Sequence, residues 1–235
     1  MTQKKALVPL NRALSKLGVL SRTQATEAIL AGRVTVGGRV VRRPTTLVVP
    51  GQVHVEVDGK STRQVAWRTI LFHKPRGVVT TRRDPEGRQT IYDVLGEAGQ
   101  GVVAVGRLDR ATSGLLLLTS DTQLANWLTD PDNEVPRLYV VTVRGRVTDG
   151  DVAGLPGRVT VRKASGRESH LLVELREGKN RQVRRMFDAI GHEVVSLKRV
   201  KFGAVDLGTL APGAHREVDR EEVMKAFPGA PQREV

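Results

Sequence analysis

From Trp67 onward the chain alternates short β-rich runs with only a few helical ones, a rhythm that predicts an α+β domain built on a mostly antiparallel, mixed sheet. The candidate strands are Thr69 to His73, Val102 to Val105, Leu115 to Leu118, Tyr139 to Val143, Val159 to Arg162 and Ser169 to Leu175. One helix is expected over Asp121 to Thr129, with Leu124, Trp127 and Leu128 inward and Pro131 just beyond its end. A second, from about Asn180 to Ile190, sets Val183, Met186, Phe187 and Ile190 on one apolar stripe and stops at Gly191. At about 100° per residue, Arg181 and Arg185 point away from that stripe, while Arg184 lies at its border, where a guanidinium reaches a neighbour. No internal repeat is visible, and Pro228 to Val235 reads as a frayed tail.

The first 60 residues differ in character: 10 Lys and Arg face 3 acids, so this quarter of the chain holds +7 of the total +13. Leu10, Leu14 and Leu17 step at helical spacing and end at Gly18. Ser21 with Gln24 forms a capping-box pattern, opening a second helix whose inner face is Ala25, Ala28 and Ile29 and which Gly32 closes. Gly37-Gly38 between two valine-rich runs predicts a two-residue hairpin turn. We therefore expect a small α+β domain over residues 1–60, a polar linker over 61–66 and a larger domain over 67–235.

A net charge of +13 and a pI near 10.8 call for a polyanionic partner, nucleic acid first. No apolar run approaches the ~18 residues of a membrane span and no signal-peptide pattern follows Met1, so a soluble, cytoplasmic protein is expected. With no cysteine, disulfides, thiolate nucleophiles and cysteine-ligated zinc are excluded. The five histidines show no metal-ligand spacing, and no metal or other cofactor is implied. Two Trp, two Tyr and four Phe are too few for a sheet that binds single strands mainly by stacking, so binding must rest on charge and shape. Gly99-Gln100-Gly101-Val102-Val103-Ala104 fits a dinucleotide fingerprint only on paper, since a β-branched run follows where a helix is needed. Nothing in the chain demands more than a monomer.

Gly106-Arg107-Leu108-Asp109-Arg110 places one carboxylate between two guanidiniums, in a loop between two apolar runs. Adjacent cations favour the ionised acid, which suits a nucleophile or electrostatic partner better than a general acid. Taken alone, the pattern also fits a loop salt bridge. The stretch GRLDRATSGLLLLTSD, however, resembles the catalytic motif of pseudouridine synthases of the RsuA/RluB type. Three further segments resemble that family's motifs in its order: Lys74-Pro75-Arg76-Gly77-Val78 with Asp84-Pro85-Glu86-Gly87-Arg88, then Arg137-Leu138-Tyr139-Val140-Val141, then Glu177 to Met186. Arg137 stands where the family has lysine. The first 60 residues resemble the RNA-binding module named after ribosomal protein S-four, through Ser21-Arg22-x-x-Ala25 and Gly32-Arg33-Val34-Thr35-Val36-Gly37-Gly38.

The resemblance implies isomerisation of a uridine in ribosomal RNA, more in keeping with large-subunit enzymes, in a catalytic domain with a central cleft. Asp109 would be the catalytic residue, Arg184 its ion-pair partner, and Tyr139 the aromatic against the uracil, although the alternation around Tyr139 alone reads as a core position. RNA contacts would come from Arg12, Lys16, Arg22 and Arg33 in the small module. In the large domain they would come from Lys74, Arg76, Arg107, Arg110, Lys179, Arg181 and Arg185. The partner would be ribosomal RNA or a ribosome-assembly intermediate. The alternatives are a non-catalytic RNA-binding or assembly factor and a small-subunit enzyme; a metal-dependent nuclease would need more than one well-placed acid.

Overall fold

The computed structural model describes residues 7–17, 19–49, 53–62 and 66–231. Met1 to Lys5, Gly18, part of the expected linker and the last four residues of the expected tail lie outside them, as does the Lys16 side chain.

The small module runs β1 (Val8–Pro9), α1 (Leu10–Lys16), α2 (Arg22–Leu30), β2 (Val34–Val36), β3 (Arg39–Val40), β4 (Leu47–Val48), β5 (Val55–Val57) and β6 (Lys60–Ser61). The Ser21 capping box forms in both directions, satisfying two otherwise unpaired amides at the start of α2. Leu10, Leu14, Ala25, Ala28 and Ile29 are fully buried and make the module's core with Val34. Gly37 and Gly38 take φ of +56° and +78°, the turn geometry that matches strand twist in the β2–β3 hairpin. The four-stranded sheet, in the order β3-β2-β5-β6, continues through Ser61, where the sequence suggests linker. Ser61 looks like linker because it is polar, yet in an exposed edge strand with Lys60 it needs no apolar side chain.

The large domain contains β7 (Thr69–Lys74), α3 (Ile91–Leu95), β8 (Val103–Ala104), β9 (Ser113–Thr119), α4 (Thr122–Thr129), β10 (Arg137–Arg144) and α5 (Asp149–Val152). It continues with β11 (Arg158–Ala164), β12 (Glu168–Leu175), α6 (Gln182–Asp188), β13 (Val194–Phe202), β14 (Val205–Asp206), β15 (His215–Val218) and α7 (Arg220–Ala226). The main sheet has the order β11-β12-β10-β13-β9-β7-β15, with β8 on β9 and β14 on β13. Among the described strands of this sheet every pairing is antiparallel except that of β9 with β13, which involves only Ser113 with Lys198 and Gly114 with Arg199. Beyond those two pairs β9 and β13 are not bonded to each other, so the sheet has a narrow seam at its centre.

The two halves bury themselves differently. All six residues of β7 are buried, because α4 and α7 cover one face of β7 and β9 while α3 and the segment from Val78 to Leu108 cover the other. Strand β10 alternates as a one-sided strand must, with Tyr139, Val141 and Val143 packed against Val183, Met186 and Phe187 of α6. Strands β13 and β15 are absent from the expectations above. Three cations, Lys198, Arg199 and Lys201, interrupt the apolar pattern of β13, and two register shifts against β10 break its two-residue period.

Candidate active site

The loop carrying Asp109 is anchored on both sides of that residue. Leu108 is 5% exposed and enters the core with Ile70, Phe72 and Val78, a burial that contributes about 2 kcal/mol. The Thr80 hydroxyl brackets the same residue, donating to the Leu108 carbonyl at 2.9 Å and accepting from its amide at 3.3 Å. Past the aspartate, the Thr112 amide donates to the Asp109 carbonyl at 2.9 Å, closing a tight turn into β9. The aspartate side chain, 29% exposed, is thus held at the edge of solvent by groups that do not use its carboxylate.

Lys74 corrects one expectation. It lies fully buried at the end of β7 and reaches no solvent for a phosphate contact. Its ammonium instead donates to the carbonyls of Pro75 (3.0 Å), Asp109 (3.2 Å) and Thr112 (2.9 Å), stapling the aspartate loop to the central strand. Lys74→Met should leave these carbonyls without their donor and lower stability by about 3 kcal/mol, measurable by urea denaturation. Burial pushes the ammonium down from 10.5 to about 8, against the pull of Asp109. Between those values the unfolded chain holds a proton that the folded chain has released, so raising the pH there favours folding. Wild type should gain stability relative to Lys74→Met from about pH 8 to 10.5; a difference that stays flat across this window would contradict the assigned environment.

Two guanidiniums act on Asp109, and a third, that of Arg76, lies beside one of them. Arg181 lies closest, its Nη1 at 3.9 Å from Asp109 Oδ2, an ion pair too long to be a hydrogen bond. Arg184 donates to the carbonyls of Val194 (3.0 Å) and Ala111 (3.1 Å), and its buried Nε has no partner. Burial and the neighbouring Arg181 make its charged form harder to hold, Asp109 favours it, and Arg76 opposes it again. Arg184 therefore ties α6 to the aspartate loop and acts on Asp109 at a distance, while the direct ion pair expected of it belongs to Arg181. Helical geometry misdirects the reading of Arg181 because α6 begins only at Gln182. Arg181 has φ +49°, a left-handed conformation costly for arginine, which takes its side chain out of helical register.

Tyr139 sits on the sheet face covered by α6 and is 9% exposed. It is paired in register with Arg199, which is itself paired with Gly114 across the seam, so Tyr139 and the start of β9 occupy one level of the sheet. Arg199, absent from the candidates above, is 3% exposed; its Nε donates to the Leu115 carbonyl and its guanidinium interacts with the Tyr139 side chain. Only a strand bearing an inward arginine could have signalled it. Arg137 is also buried, donating to the carbonyls of Val135, Arg176 and Leu128, and it shares the Phe202 ring with Arg199.

The remaining candidates scatter. Arg76 is exposed beside Arg184, and Arg110 ties its Nε to the Gly77 carbonyl at 3.3 Å. Arg185 is exposed on α6, and Lys179 is paired with Glu177 at 2.8 Å. Arg33 pairs with Asp58 at 3.2 Å, away from the other three described cations, Arg12, Arg22 and Arg107, which line one groove between the module and the large domain. Among the described residues no three His, Asp or Glu side chains are grouped to hold a metal, and no helix is long and apolar enough to cross a membrane.

Comparison with known proteins gives concordant matches. Residues 68–189 match the family described as RNA pseudouridylate synthase, and residues 8–54 match the S4 domain. A protein of Aquifex aeolicus (strain VF5) named as an uncharacterized RNA pseudouridine synthase is 36% identical over 233 residues, covering 94% of each chain. The ribosomal large subunit pseudouridine synthase B of Bacillus subtilis (strain 168) is 36% identical over 230 residues, covering 92% of this chain and 94% of its own. A crystal structure of a pseudouridylate synthase superposes with a TM-score of 0.63 at 27% identity, over 93% of this chain and 99% of that one.

Proposed function

Because the chain belongs to the RNA pseudouridylate synthase family, we propose that it converts one uridine of large-subunit ribosomal RNA to pseudouridine, with Asp109 as its catalytic residue. The observation that carries this reading is the environment of Asp109, a carboxylate on a clamped loop with Arg181 paired to it and Arg184, tied to the same loop, close enough to feel its charge. In the reaction the N1–C1′ bond breaks, the uracil turns, and a C5–C1′ bond forms; the proton on C5 leaves and N1 gains one. Atoms balance without a co-reactant. A carboxylate facing the sugar stabilises the positive charge that develops at C1′ as the base departs.

A uridine stacked in RNA cannot reach the loop, so the nucleotide must be extruded, at a cost of roughly a few kcal/mol. Cations around a single acid suit that step: they hold the flanking phosphates while Asp109 faces the nucleoside. Tyr139, on the sheet level where β9 begins, would meet the uracil ring, and Arg199 would hold that tyrosine in place. Residues 1–60 would serve as the RNA-binding module and residues 67–235 as the catalytic domain. The preference for the large subunit rests on the relatives' names and on the amino-terminal module.

The test uses unmodified transcripts of both ribosomal RNAs, incubated with the protein and mapped for pseudouridine. One modified position in the large-subunit transcript and none in the small is the expected outcome. Modification confined to the small-subunit transcript would overturn the substrate assignment.

A further inference from the structure

Arg199 occupies the narrowest part of the main sheet. Its backbone pairs with Gly114 on one side and with Tyr139 on the other, so this one residue joins β9, β13 and β10 at the level where β9 leaves the Asp109 loop. The side chain repeats the connection. Its Nε donates to the Leu115 carbonyl of β9 at 2.8 Å, the guanidinium hydrogen-bonds the Tyr139 side chain of β10, and its central carbon lies 5.0 Å from the centre of the Phe202 ring. Arg137, also buried, stands 5.1 Å from the same ring. Among the described residues no carboxylate pairs with either arginine; burial works against both charges, and Tyr139 is the first group that favours each of them. The Nη2 of Arg199 is buried without a partner. A guanidinium placed here costs desolvation that a leucine would avoid, so packing does not account for it.

A guanidinium carries only donors, so its bond to Tyr139 uses the phenol oxygen as acceptor and turns the hydroxyl hydrogen away from Arg199. We propose that Arg199 is a positioning residue for the modification reaction: it fixes the Tyr139 hydroxyl as a donor to a carbonyl oxygen of the extruded uracil, and it ties that hydroxyl to the strand that follows the Asp109 loop. The inference rests on the reaction proposed above and adds to it the residue that sets the spacing between acid and tyrosine. A planar fork is what the task requires, since Nε holds one strand while the terminal nitrogens reach the next; an ammonium is a single point and cannot hold both at fixed angles. The strut also has little slack, because the Gly114 and Arg199 backbones lie so close that a Cβ on Gly114 would sit 2.2 Å from the Arg199 carbonyl oxygen. Moving Arg199 therefore moves the tyrosine relative to the acid loop.

The chain has two tyrosines, Tyr92 and Tyr139, so labelling the full-length protein with fluorotyrosine gives two fluorine signals, which Tyr92→Phe assigns. Arg199→Lys, and Arg199→Gln should the lysine variant fail to fold, are expected to shift the Tyr139 signal and leave that of Tyr92 in place. An unmoved Tyr139 signal overturns the proposal. With unmodified ribosomal RNA and enzyme in excess, the same variants should slow the maximal rate of pseudouridine formation roughly thirtyfold, while the concentration giving half that rate changes by less than about threefold. A residue that acts through a hydroxyl loses its effect once the hydroxyl is gone, so Tyr139→Phe combined with the Arg199 variant should be no more than about threefold slower than Tyr139→Phe alone. A further loss of roughly thirtyfold in the double variant overturns the proposal, because Arg199 then supports the fold and not the tyrosine. If the wild-type protein modifies no ribosomal RNA, the reaction proposed above fails by itself, and the fluorine signals still decide whether Arg199 holds the ring.

Discussion

Asp109→Asn is expected to lower kcat/KM for pseudouridine formation by about four orders of magnitude or more, with RNA affinity changed by no more than about threefold. The amide preserves size and shape but cannot carry the negative charge that the proposed reaction places opposite C1′. Stability should barely move, because the loop is held by the Leu108 side chain, the Thr80 hydroxyl and the Asp109 carbonyl, all of which the variant keeps. The ion pair lost to Arg181 is long and its partners are 53% and 29% exposed, a class of contact worth less than about 1 kcal/mol. Tritium released from RNA labelled at carbon five of uracil measures the reaction, and filter retention of the same RNA measures binding. Activity within tenfold of wild type would remove Asp109 from the chemistry; unchanged activity loss in a protein that also fails to bind RNA would mean that the substitution had disturbed more than a charge.

Gly114→Ala should be among the most damaging single methyl groups that can be added to the large domain. Gly114 has φ +111°, and a Cβ there would lie 2.2 Å from the Arg199 carbonyl oxygen and 2.6 Å from its nitrogen. These are backbone atoms of the facing strand, so no side chain can swing aside. Since β9 and β13 are paired through two residues only, moving either strand opens the seam that joins the halves of the sheet. We expect a loss of at least about 3 kcal/mol, roughly 6–12 °C in Tm for a chain of this size. Gly37→Ala is the control: its φ of +56° is also left-handed, but nothing lies within 4 Å, so only the backbone cost of about 1–2 kcal/mol applies. Thermal unfolding followed by circular dichroism compares the two, and equal losses would refute the close-packed seam.

What could be read in the sequence were the features set by near neighbours. The capping box at Ser21, the glycine pair of the hairpin and the apolar stripe of α6 depend on residues a few positions apart, and the structure contains each of them. Features set by distant partners were hidden. Lys74 follows an apolar run and looks solvated, yet its surroundings are carbonyls from a loop about 35 positions later, which no local pattern announces. Helical periodicity gives Arg181 a direction that its left-handed backbone does not allow. Strand β13 is disguised by the buried Arg199, tolerated at an inward position because the Leu115 carbonyl, Tyr139 and the Phe202 ring receive it. The gathering of Arg12, Arg22 and Arg107 depends on how two domains meet, which spacing along the chain does not encode.

The order of the strands also bears on biogenesis. Strand β7, whose last residue staples the aspartate loop, gains its outer neighbour only from residues 215–218, and the seam beside Gly114 closes only on residues 194–202. A ribosome must therefore release more than a hundred further residues after β7 before either contact can form, and such long-range closure is slow. Nascent chains would emerge with the RNA-binding module already able to fold while the acid loop is still unsupported, so the protein can first grip RNA and only later acquire the power to alter it.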